Sequence, residues 1–161
     1  HRAAVEASIA LGTHFPIEER ATLTAIAVLH DIGKLVLSPL IEDRETLTEL
    51  SRKSRRSIID IEADLFDIDH TEAGKIVCDH WNIPSVIGDS IEQHHRPREA
   101  DRLTNAVYIA DAIAHASIDQ ATDHGPDRFP QLETAMGVCN IDDIQMARTL
   151  EQTTRAIGSR Q

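Results

Sequence analysis

The pentapeptide His30-Asp31-Ile32-Gly33-Lys34 sets an imidazole beside a carboxylate, with a lysine three residues past the carboxylate. His70, the adjacent pair His94-His95, and Asp111 follow it at wide spacing. Imidazole nitrogens and carboxylate oxygens together form the ligand set of a borderline-hard divalent ion. A shell of that kind without thiolate favours iron or manganese over a structural zinc. The groups are far apart in the chain, so separate elements must carry them to one place.

Helical phase indicates that several of these elements could do so. Over residues 103–120 an apolar stripe runs through Leu103, Val107, Ala110, Ala114 and Ile118, and Asp111 sits on it. A carboxylate facing a core is expensive unless it is paired or bound to a cation. In the helix starting at Pro84 the stripe is Ile87 and Ile91, continued by His94 and His95. His30 extends the stripe of Leu23, Ile26 and Ala27. His70 falls in the first turn of its own helix, where a side chain can reach a neighbouring helix end. The expectation is one interior cluster of His30, Asp31, His70, His94, His95 and Asp111.

Plainer roles exist for single residues. Interior histidines are usually hydrogen-bonded core residues, and that reading is applied to His14, His80, His115 and His124. Asp111 alone would suit an interhelical salt bridge or a cap, and Lys34 alone a solvated surface position. The basic run over 52–56 reads as a solvated face or link where an anionic partner could dock. For the whole set, coincidence would require five separate elements to place ligand-type groups inward independently.

The carrying elements read as helices almost throughout. Helices are expected over 1–11, with Gly12 as the C′ residue, and over 18–29, after Pro16 and with Glu18 and Glu19 in the first turn. A bend at Gly33 and a short apolar turn through Leu35, Val36 and Leu37 follow, stopped by Ser38-Pro39. Helical spacing returns at Ile58, Ile61 and Leu65 after a polar stretch within 41–66. Asp69 with Glu72 forms a capping-box pattern for a helix ending at Trp81-Asn82, and Pro84 opens the next at N1. Further helices are expected over 103–120 and 141–157, with an irregular loop over 123–130. There is no alternating strand pattern and no internal repeat, so the class is all-α.

Composition bounds the rest. A chain of 161 residues suits one domain, 1–161, with a substantial core. Aromatics are only 3% of residues, so that core must be built from Ile, Leu, Val and Ala. The net charge of −11 argues against nucleic acid, whose backbone calls for clustered Lys and Arg. A small phosphorylated ligand or nucleotide stays compatible if a metal supplies positive charge. Cys78 and Cys139, far apart and without CxxC spacing, read as reduced core thiols of a cytoplasmic protein. No run reads as a membrane span and no signal peptide is visible. The chain opens at His1 already inside an amphipathic pattern (Val5, Ile9, Ala10), which predicts a preceding helical lobe.

The set resembles a known family. His30-Asp31 with Gly33-Lys34, and Asp111 within Tyr108-Ile109-Ala110-Asp111-Ala112, resemble the HD superfamily of metal-dependent phosphohydrolases. The HDOD branch, the HD-related output domain of bacterial signalling proteins, is a closer resemblance. Its signature is similar to Leu29-His30-Asp31-Ile32-Gly33-Lys34-Leu35-Val36-Leu37, to Asp69-His70-Thr71-Glu72-Ala73-Gly74, to Trp81-Asn82-Ile83-Pro84, and to Ile91-Glu92-Gln93-His94-His95-Arg96-Pro97. The resemblance runs from His1 to about Ile157. It implies an HD-type helical bundle around a central His/Asp cluster. It also implies one metal site of His1, His30, Asp31 and Asp111, with Asp31 bridging to a second ion held by His70, His94 and His95. In such two-metal sites the ions activate water and polarise a phosphoryl oxygen, so Asp31 and Lys34 would be the catalytic pair, Lys34 clamping the phosphate.

The resemblance stops short of the HD-GYP cyclic-dinucleotide phosphodiesterases. Here His94-His95 leads into Arg96-Pro97-Arg98-Glu99, and no Gly-Tyr-Pro occurs. HDOD members often accompany sensor or output modules, which implies a regulatory role through other signalling domains or proteins, with one or two divalent ions retained. An active metal-dependent phosphohydrolase is the alternative, and a metal-free helical scaffold is a third reading. Elemental analysis of protein purified without chelators is expected to find iron or manganese. Stoichiometric zinc held by either cysteine would reject that assignment.

Overall fold

The computed structural model describes residues 2–41, 51, 53–54, 56–97, 101–118 and 129–159. Among the described residues there is no strand, and the regular elements are helices, as the periodicity predicts. They are α1 (Arg2–Gly12), α2 (Ile17–Leu29), α3 (Gly33–Leu37) with a 3-10 turn (Ser38–Leu40), and α4 (Ile58–Phe66). After these come α5 (His70–His80), α6 (Ser85–Gln93), α7 (Arg102–Ile118), α8 (Leu132–Cys139) and α9 (Asp143–Gly158). The expected 42–50 stretch, most of the 123–130 loop, His124 and Gln120 lie outside the described residues.

Local chemistry sets the ends of these helices. Ser57 caps α4 by accepting from the Asp60 N–H. Asp69 caps α5 by accepting from Thr71 and Glu72, while Glu72 accepts from the Asp69 N–H, completing the predicted box. A second box, Asp142 with Gln145, starts α9. Asp67, Asn82 and Asn140 take left-handed backbone near φ 55–58° where α4, α5 and α8 finish. Two expected ends differ by detail. Gly12 is the last residue of α1 and has no positive φ, because the chain leaves through 3-10-type bonds such as His14 N–H to Leu11 C=O at 3.0 Å. Pro84 stands just before α6 and accepts from the Ile87 N–H at 2.9 Å, so it occupies the cap position instead of N1.

The chain divides into two compact units, one of His1–Val28 with Gln93–Gln161 and one of Leu29–Glu92. In the first, α7 packs against α1, α8 and α9, and α1 against α9. Ala3, Ala4 and Ala114 form a tight apolar cluster, joined by Ile157. From Thr104 to Ala114 every residue of α7 is buried, so this helix is a central rod and not the one-sided amphipathic helix its stripe predicts. Thr149 and Thr153 are buried on α9, where their hydroxyls donate to the carbonyls of Gln145 and Thr149. Arg102 lies over the Phe15 ring at 4.3 Å and donates to the His14 carbonyl at 3.3 Å.

In the second unit α3 packs against α5. Two glycines set that contact. A Cβ added to Gly33 would collide with the His70 carbonyl oxygen and lie 2.6 Å from the Gly74 nitrogen. A Cβ on Gly74 would meet Ile91 Cγ2 at 2.8 Å.

By length and composition, Ile17–Leu40 is apolar enough to cross a membrane, which corrects the sequence expectation that no run approaches a span. The fold interrupts the stretch. Helix α2 ends at Leu29, α3 starts at Gly33, and the backbone tightens to 3-10 at Ser38, with Asp31 and Lys34 at the first break. Its residues Leu23, Ile26, Ala27 and Leu37 are buried within the protein.

The glycines give the fold's test. Gly33→Ala forces backbone apart and is expected to lower stability by about 2 kcal/mol or more in urea denaturation. Gly137→Ala, at an exposed α8 position with open space around the new methyl, is expected to raise it by about 0.5–1 kcal/mol.

Candidate metal centre

The buried face of α2, Leu23, Ile26 and Ala27, runs on into His30, which is 3% exposed. The chain then turns, with Ile32 N–H donating to Leu29 C=O at 2.8 Å and Lys34 N–H to Asp31 C=O at 2.9 Å. This presents the Asp31 carboxylate to several cationic or imidazole groups. Oδ1 lies 2.6 Å from Lys34 Nζ and 3.4 Å from His70 Nε2, and Oδ2 lies 3.6 Å from His30 Nε2.

His70 is fully buried at the first position of α5, with its place set by the Asp69 cap. Its other ring nitrogen, Nδ1, lies 2.5 Å from Glu62 Oε2, which also accepts the His70 backbone N–H at 3.0 Å. Glu62 is 3% exposed on α4. The sequence reading passed over it, although a signal was present. Glu62 is one turn past Ile58, a carboxylate on an apolar stripe, which is the argument that singled out Asp111. Of that stripe Ile61 is buried, Leu65 is exposed, and Ile59 takes its place in the core.

His94 and His95 follow directly on α6. Their rings stack at 4.1 Å between centroids with a 40° tilt. Ligand atoms of Asp31, His70, His94 and His95 all lie within 4.8 Å of one another. Three imidazoles and one carboxylate at that separation are suited to a divalent first-row ion.

A model of the HDOD domain matches residues 2–97. The chain belongs to the HDOD family. No curated protein and no solved structure matches it significantly. The HDOD match contains His30, Asp31, Lys34, Glu62, His70, His94 and His95, and ends before α7 and Asp111.

The remaining sequence candidates fall as follows. His1 lies outside the described residues. His30 touches Asp31 but is not one of the four clustered donors. Asp111 is 8% exposed on α7, with His115 Nε2 3.6 Å from its Oδ1. His115 and Tyr108 both contact the Phe129 ring. Lys34, partly exposed, is paired with Asp31 and is not the solvated lysine it would be alone. His14 Nδ1 meets Gln145 Nε2 at 3.2 Å. His80 is exposed at the end of α5, and not the core residue its stripe predicts, since Ile76 on that stripe is itself exposed. No cysteine belongs to the cluster among the described residues. Burial pushes the Cys139 thiol up to about 12 and raises that of Cys78.

Electrostatics in the HDOD cluster centre on Asp31. Burial pushes its carboxyl up, but the Lys34 ammonium, then His30 and His70, more than reverse this and hold it well below the usual carboxylate range. The ionised carboxylate therefore adds stability that is present above the ordinary aspartate value of about 4 and is lost as pH falls below it. Asp31→Asn is expected to destabilise metal-free protein by about 1–3 kcal/mol at pH 7. The difference from wild type should shrink progressively in denaturation curves taken below about pH 4.

Proposed function

We propose that this HDOD domain is a regulatory module that binds a divalent metal and acts through contacts with other signalling domains or proteins. The observation that carries the metal reading is the convergence of Asp31, His70, His94 and His95 within 4.8 Å, inside the HDOD-matched stretch. Those four residues would hold the ion, with His30 beside Asp31. When bound, the metal would supply Lewis acidity and a positive field for a phosphorylated ligand. Lys34 keeps Asp31 ionised and, through its ammonium, would stand ready beside an anionic group.

The regulatory reading draws support from the balance inside the cluster. Asp31 has an ammonium at 2.6 Å, so its charge has a counter-ion of the chain's own. Such a centre can persist both with and without metal, as a switchable binding module must. A phosphohydrolase acting on a nucleotide or phosphodiester is the competing activity, with Asp31 and Lys34 as its catalytic pair.

The test is titration with manganese or ferrous iron, followed by hydrolysis assays on generic and cyclic-nucleotide phosphodiesters. Bound metal is expected to raise the thermal midpoint, by about 2.7 kcal/mol of stability at a hundred times the dissociation constant. Asp31→Ala should abolish the rise, and wild type should show little turnover. Robust hydrolysis that Asp31→Ala eliminates would make the domain an enzyme. Protein that takes up no metal would leave a bare scaffold.

A further inference from the structure

We propose that Glu62 is a positioning residue of the metal centre, fixing His70 with its proton on Nδ1 and its Nε2 lone pair on the Asp31 side. The inference rests on the metal reading above only for its consequence, since the orientation of the ring can be tested in metal-free protein.

The two nitrogens of the His70 ring face two carboxylates at unequal distances. Nδ1 is 2.5 Å from Glu62 Oε2, whereas Nε2 is 3.4 Å from Asp31 Oδ1. The first is a short charge-assisted hydrogen bond, and the second is too long for a strong one. An ionised carboxylate only accepts, so the nitrogen at 2.5 Å carries the hydrogen. The Asp31 oxygen on the far side takes its strong donor from elsewhere, the Lys34 ammonium at 2.6 Å. In a neutral imidazole with its proton on Nδ1, Nε2 is the atom that can ligate a metal.

Glu62 is itself fixed. The oxygen that meets Nδ1 also accepts the His70 backbone N–H at 3.0 Å, one of the first-turn donors that α5 cannot satisfy internally. One carboxylate oxygen thus holds both the backbone and the ring of the same residue, which removes freedom in the ring's rotation. At 3% and 0% exposure, Glu62 and His70 meet without competition from water. A carboxylate behind a metal-binding imidazole is a recurrent means of setting its tautomer and raising its basicity, and its loss typically weakens metal binding 10–100-fold.

The test uses the whole chain as Glu62→Leu and Glu62→Gln variants beside wild type. Long-range proton–nitrogen spectra of metal-free protein at mildly alkaline pH report the tautomer of His70, with His70→Asn identifying its signals. Wild type is expected to show a protonated Nδ1 and an unprotonated Nε2. Glu62→Leu should lose that single state and bind manganese about 10–100-fold more weakly. Glu62→Gln, whose amide oxygen can still accept both hydrogens, should retain the tautomer and most of the affinity. A wild-type His70 protonated on Nε2 would overturn the proposal, and so would a folded Glu62→Leu with unchanged tautomer and affinity. If Glu62→Leu does not fold, the wild-type spectrum decides alone. Wild-type protein that binds no manganese would refute the metal reading separately, while a protonated Nδ1 would still uphold the role assigned to Glu62 in orienting the ring.

Discussion

The approach of Gly33 to the first turns of α5 is the constraint on which the centre depends. Asp31 lies two residues before Gly33, and His70 is the residue whose carbonyl a Gly33 side chain would strike. The absence of a side chain therefore sets how near the carboxylate can come to the imidazole. Gly74 repeats the device on the other helix, where it leaves room for Ile91 of α6. Ile91 in turn lies three residues before His94. Three ligand-bearing segments are thus registered by two missing methyl groups. Close backbone packing transmits position rigidly, because there is no flexible side chain between the helices to absorb an error.

On that frame the polar groups are layered. Asp31 lies at the middle, with Lys34 and imidazoles around it, and Glu62 stands behind His70. Each buried charge has a partner, which is the condition for keeping such groups in an apolar unit. The partners also differ in kind. Lys34 is long and partly exposed, so its place beside Asp31 could pass to another cation, whereas Glu62 is buried and accepts two hydrogens from one residue. The inner carboxylate is thus exchangeable in its pairing and the outer one is fixed.

Much of this was legible in the chain. Asp69 and Glu72 announce their helix because capping chemistry is local, and His30-Asp31 with His94-His95 announce ligands because their residue types are rarely placed inward without cause. Glu62 was missed although it shares the face of Ile58 and Ile61, because the pattern does not show that tertiary packing turns Ile59, Ile61 and Glu62 inward and leaves Leu65 exposed. Helix α8 was missed too, since it has no side-chain cap at Gln131 and carries Gly137 in its interior. The reading of α7 failed for a different reason. Small residues such as Ala106, Ala110, Ala112 and Ala114 look permissive on any face, and periodicity cannot tell that all faces are covered. The caps at Ser57 with Asp60 and at Asp142 with Gln145 have patterns in plain view that the periodicity alone does not use.

The enclosure of α7 has a dynamic consequence. A helix buried from Thr104 to Ala114 cannot expose its amides by fraying or by the departure of one neighbour. Its hydrogen bonds open only when the unit around it comes apart, so its amide protons exchange with solvent at the rate of that larger event. Helix α8 is short, has no side-chain cap at Gln131, and is tied to α7 by the Gln131 N–H donating to the Tyr108 hydroxyl. The amides of α8, which packs directly on one side of α7, are not enclosed on all faces in that way.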